Sequence, residues 1–90
     1  MGRETILFRS EEKKDIHSVA ALLRELADKI EDQKVILKQG NQEVILEIPS
    51  TVELEIKAER EDGKNTSKKK LEIEIEWTLG EKDSESFSLG

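Results

Sequence analysis

No cysteine occurs anywhere in the 90 residues, which excludes disulfide bridges and thiolate metal centres and leaves nothing that points to secretion. Aromatic residues make up only 3%, two Phe and one Trp without any Tyr. The short basic run Lys64, Lys68, Lys69 and Lys70 therefore lacks the interleaved aromatics of a nucleic-acid surface. The single histidine, His17, has neither Cys nor a second His to join it in a metal or catalytic site. No apolar run approaches the roughly 18 residues of a membrane span, and no hydrophobic stretch opens the chain as a leader would. Met1-Gly2 opens like a myristoylation signal, but Ile6 stands where that signal needs Ser or Thr. The net charge of −6 and the pI near 4.9 argue against nucleic acid and anionic membranes as partners. A cytoplasmic protein is expected.

What is present is charge in periodic order. Charged residues make up 40% and hydrophobic ones 34%, a balance that would suit a disordered chain if the apolar positions were scattered. They are not. Residues 4–9 alternate as a short strand, with Ile6 and Phe8 on one side and Thr5, Leu7 and Arg9 on the other. From Asp15, a plausible N-cap, the period becomes helical: Ile16, Val19, Ala20, Leu23, Leu26, Ala27 and Ile30 form one stripe up to about Asp32. Strands follow at about 34–38 and 43–48, joined by a two-residue turn at Gly40-Asn41. That turn sets Lys38 against Glu43, Ile36 against Ile45 and Lys34 against Glu47, and leaves Val35, Leu37, Val44, Leu46 and Ile48 on the other face. Pro49 ends the second of these strands. Residues 51–60 and 70–79 alternate again: Val52, Leu54, Ile56 and Ala58, then Leu71, Ile73, Ile75 and Trp77, share the apolar side, with a polar loop through Gly63 and Asn65 between them.

The expected fold is α+β: an antiparallel sheet of about five strands, in the order β-α-β-β-β-β, with one amphipathic helix packed on one face. Residues 1–79 should form a single domain and residues 80–90 a flexible tail.

Several stretches resemble the amphi-Trp domain, a family of small uncharacterised prokaryotic proteins. They are Leu7-Phe8 with Ser10-Glu11-Glu12, then Ala21-Leu22-Leu23-Arg24-Glu25-Leu26-Ala27-Asp28, the Gly40 hairpin, Ile48-Pro49, and the closing alternation from Leu71 to Trp77. Together they cover most of residues 6–77. The resemblance implies a small α+β unit ending in an amphipathic strand with a tryptophan. It carries over no activity, ligand or catalytic residue. The loop at 61–69 and the segment after Thr78 are particular to this chain.

Three features invite a functional reading. Trp77 could be a stacking platform, but its phase with Ile73 and Ile75 favours core packing. Glu53, Glu55, Glu72, Glu74 and Glu76, with Glu59, make an acidic face that reads first as solvated and next as a surface for a basic partner or a hard cation. Leu7, Ile36 and Ile45 make an outward apolar patch if the first strand lies beside them, unless Phe87 and Leu89 fold back over it. No catalytic residue, metal ligand or cofactor is expected. The leading expectation is a protein-interaction or self-association module using the outward sheet face. Its rival is a cation or small-ligand binder using the glutamate ladder.

Overall fold

The computed structural model describes residues 2–80 and residue 89. Among them are one helix and four strands: α1 (Ile16–Glu31), β1 (Lys34–Gln39), β2 (Gln42–Glu47), β3 (Glu53–Asp62) and β4 (Ser67–Glu76). The chain divides into two compact units, Met1–Ser50 and Thr51–Gly90.

In the first unit, α1 begins where the sequence places it. Asp15 is extended and its carboxylate accepts from the Ser18 amide at 3.3 Å and from the Ser18 hydroxyl, satisfying a donor of the first turn. These hydrogen bonds, the hydroxyl's first, hold the Asp15 carboxyl below its ordinary value of 3.8. A depressed carboxyl stabilises the folded state above that value and ceases to do so as pH falls below it. Asp15→Ala should therefore lower the melting temperature by a few degrees at neutral pH. The difference should shrink below pH 3.8, as thermal melts followed by far-UV circular dichroism can show.

The helix ends on Gln33, a non-glycine residue at φ 60°. This left-handed residue closes α1 through its amide, 2.9 Å from the Ile30 carbonyl. It also ties the helix end to the sheet: the Ile48 amide donates to the Gln33 carbonyl at 2.9 Å, and Gln33 Nε2 donates to the Ile48 carbonyl at 3.1 Å. Gln33→Ala keeps the backbone strain and loses the side-chain bond to a half-buried carbonyl. A destabilisation of about 0.5–1.5 kcal/mol in urea unfolding is expected.

β1 and β2 pair antiparallel in the register the turn demands, with Lys34 opposite Glu47, Ile36 opposite Ile45 and Lys38 opposite Glu43. Gly40 sits at φ 59°, as a two-residue turn requires. Alternation then turns Val35, Leu37, Val44 and Leu46 to one face, and α1 lies against β1. The core is small: among the described residues only Val35 (6% exposed) and Ile48 (8%) are buried. Phe8, Val19, Ala20, Leu26 and Ile30 are half-buried around them, whereas Ile16 and Leu23 of the helical stripe are exposed.

In the second unit, β3 and β4 pair antiparallel through ten successive residue pairs, from Glu53–Glu76 to Asp62–Ser67. The strands run further towards the turn than the expected loop at 61–69 allows, so Lys68 and Lys69 lie in β4 with Lys70 rather than in that loop. Hydrogen bonding is the reason. Asp62 Oδ1 accepts from the Ser67 hydroxyl at 2.7 Å and from Arg60 Nε at 3.0 Å, and the Gly63 amide donates to the Thr66 carbonyl at 2.8 Å. The Ser67 and Arg60 bonds, in that order, depress the Asp62 carboxyl.

Two expectations are corrected. Residues 4–9 form no strand; their alternation finds no ladder partner, and the segment is held instead by Gln42 Nε2 donating to the Leu7 carbonyl at 2.9 Å. The four strands lie in two separate two-stranded antiparallel sheets, not in one sheet of five. Pro49, without a donor and restricting Ile48, stops β2 at Glu47. The α+β class stands. Of the expected tail at 80–90, residues 81–88 and 90 lie outside the described residues, Phe87 among them, and Leu89 is exposed.

Candidate functional site

In the first unit, the ladder sets Ile36 directly against Ile45 on the face away from Val35 and Leu46, and both are exposed (44% and 51%). Leu7 is exposed too, but no strand pairing joins it to them. Its carbonyl is held by Gln42, whose place in the alternation is with Val44 and Leu46 on the opposite side of the hairpin. The two isoleucines are thus brought together, and Leu7 is anchored from the other face. A groove also runs between α1 and β1, its lining including Leu22, Leu26, Val35 and Leu37 and charges of both signs, Lys29, Lys34 and Lys38 with Glu25 and Asp32. Its walls take residues from both faces of β1, as a channel along the open edge of that strand must.

The acidic face of the second unit has two parts. Near its middle, Lys57 and Lys70 alternate with Glu59 and Glu72 in a square of ion pairs: Lys57–Glu59 at 3.0 Å, Lys70–Glu72 at 3.1 Å, Lys57–Glu72 at 3.6 Å and Lys70–Glu59 at 3.9 Å. Glu59 raises the Lys57 pKa, Glu72 raises that of Lys70, and Lys70 lowers that of Glu72. A raised ammonium favours the fold below 10.5 and a lowered carboxyl favours it above 4.5, so Lys57, Lys70 and Glu72 all favour the fold across neutral pH. Towards the open end the pattern changes. Glu53 opposes Glu76 and Glu55 opposes Glu74, two like-charge pairs that weaken the ladder.

The reverse face of the same hairpin was expected to be core. It is not: Leu54 opposes Ile75, Ile56 opposes Ile73 and Ala58 opposes Leu71, and Leu54 (58%), Ile56 (65%), Leu71 (69%) and Ile73 (56%) are all exposed. Trp77, just beyond β4, is half-buried. Alternation alone marked these residues as apolar and on one side. It carried no signal that they lie uncovered.

No described helix is long and apolar enough to cross a membrane. No curated protein and no solved structure matches this chain. One family model does, over residues 1–90: that of the Amphi-Trp domain. On that match across its whole length, the chain belongs to the Amphi-Trp domain family.

Proposed function

We propose that this is a protein-interaction module whose binding surface is the apolar row of the β3–β4 hairpin, working as a cytoplasmic protein without catalysis. The carrying observation is that four large aliphatic residues on one face, Leu54, Ile56, Leu71 and Ile73, are each more than half exposed. A two-stranded hairpin is marginal in water by itself, and its apolar face needs cover to stay formed. Covering these four side chains would gain roughly 4–7 kcal/mol at about 1.5–3 kcal/mol per fully buried aliphatic. The association cost is of the same order, at about 4–15 kcal/mol. The row can therefore contribute the main apolar term of an interface, but a specific complex needs a second source of affinity beside it. The Ile36–Ile45 pair is a smaller surface of the same kind in the first unit.

Cation binding at Glu53, Glu55, Glu74 and Glu76 is the weaker reading. Hard cations want oxygens converging from a curved loop, whereas these carboxylates leave a flat ladder side by side. The test of the interaction reading is cross-linking of the tagged full chain inside cells. Wild-type protein should give a discrete cross-linked species that Ile56→Thr combined with Ile73→Thr loses. Absence of any cross-linked species from wild type would end the reading.

A further inference from the structure

Among the described residues, β3 and β4 make a sheet of two strands, so each ten-residue strand has one hydrogen-bonding edge without a partner strand. β4 carries none of the usual shape-based protection of such an edge: its ten pairs with β3 are consecutive, without a bulge, and it contains no proline. Its lysines alone would discourage pairing with another strand. Their placement changes that. β4 reads SKKKLEIEIE, so on one face Lys68 and Lys70 occupy the first half while Glu72, Glu74 and Glu76 occupy the second. Reversed, the strand is its own electrostatic complement.

Resting on the interaction reading above, we infer that the apolar row is presented by a pair of chains, with the open edge of β4 pairing antiparallel to the same edge of a second copy about a twofold axis at Leu71, so that the joined rows form one wider surface for the interaction. In that register Lys70 faces Glu72 and Lys68 faces Glu74 of the second copy, each twice, and no like charges are opposed. Leu71 meets its own counterpart. An axis at Glu72 would set that residue against itself, and one at Ile73 would oppose Glu72 to Glu74 twice. The other strands offer less. β1 centred on Ile36 sets Lys34 against Lys38, β2 centred on Ile45 sets Glu43 against Glu47, and β3 centred on Ala58 sets Glu55 against Glu61. The result is a four-stranded sheet in the order β3-β4-β4-β3. Antiparallel pairs place opposed side chains on the same face, so both apolar rows emerge on one side and meet at Leu71.

The experiment is sedimentation equilibrium of the full chain, with two charge-reversed variants: Lys68→Glu with Lys70→Glu, and Glu72→Lys with Glu74→Lys. Wild type should have the mass of a dimer, each variant the mass of a monomer, and an equimolar mixture of the two should recover the dimer. The absence of native cysteine allows a second readout that does not depend on how well those variants fold. Opposed side chains in an antiparallel pair have Cβ atoms about 4.5–5.5 Å apart, near enough for a disulfide after a small shift. Under mild oxidation Leu71→Cys should form a covalent dimer, and Ile73→Cys should do so at least tenfold more slowly. A monomeric wild type, or faster linkage through Ile73→Cys, overturns the inference. A monomer that still cross-links to another protein in cells overturns the inference alone and leaves the interaction reading standing.

Discussion

Ile48→Ala should unfold the first unit in a large share of molecules under conditions where the wild type is folded. Among the described residues Ile48 is one of two that are buried in that unit, and its backbone makes the two bonds to Gln33 that join the helix end to the sheet. Truncating a buried isoleucine to alanine costs about 2–5 kcal/mol, because burial is lost and a cavity remains. A unit of this size has little to lose, since at roughly 0.05–0.15 kcal/mol per residue fifty residues hold about 2.5–7.5 kcal/mol. The two ranges overlap. Urea unfolding followed by far-UV circular dichroism should show the transition moved to much lower denaturant. Val52→Ala, at a more exposed position of the second unit, should change the unfolding free energy by no more than about 0.5 kcal/mol. An unchanged midpoint for Ile48→Ala would mean that the packing of Val35 and Ile48 beneath α1 does not hold this unit together.

Ile56→Thr with Ile73→Thr should weaken association through the apolar row by about 30- to 700-fold, while the pairing of β4 edges, which does not cover Ile56, persists. The two residues are directly opposed at the centre of the hairpin's apolar row, and each is more than half exposed. Covering each contributes about 1–2 kcal/mol, so losing both removes about 2–4 kcal/mol, with a factor of ten for every 1.4 kcal/mol. Threonine keeps the branched side chain that suits a strand, so the hairpin itself should persist. Concentration-dependent sedimentation of association beyond the edge-paired dimer is the check, with circular dichroism to establish that the β signal is retained. A dissociation constant unchanged within twofold would show that the apolar row is not the binding surface, whatever the partner.

Helical and hairpin structure in the first unit was legible because short-range physics decides it. Asp15 can satisfy first-turn amides in any surroundings, and the stripe from Ile16 to Ile30 has only one period that collects it on a side. The Gly40-Asn41 turn leaves one register, and that register matches Lys34 with Glu47 and Lys38 with Glu43. Strand identity in the second unit was equally plain from alternation. Its length was not, because the three groups that meet at Asp62 come from Arg60, Ser67 and Asp62 itself and read as loop composition until they are seen bonded. Alternation at 4–9 misled for a different reason: a period of two says which side chains share a face, but a strand also needs an edge to pair with.

By itself, then, the sequence determined the α+β class, the one helix, the register of the β1–β2 hairpin and the separation of the β3–β4 hairpin into a charged and an apolar face. All of these follow from contacts within a few residues or across one tight turn. Only the tertiary structure decided that the strands form two sheets of two, that the core of the first unit narrows to Val35 and Ile48, and that Leu54, Ile56, Leu71 and Ile73 lie uncovered. Period and charge assign a residue to a face. What that face meets depends on free energies summed over distant segments, and those sums exist only once the chain is folded.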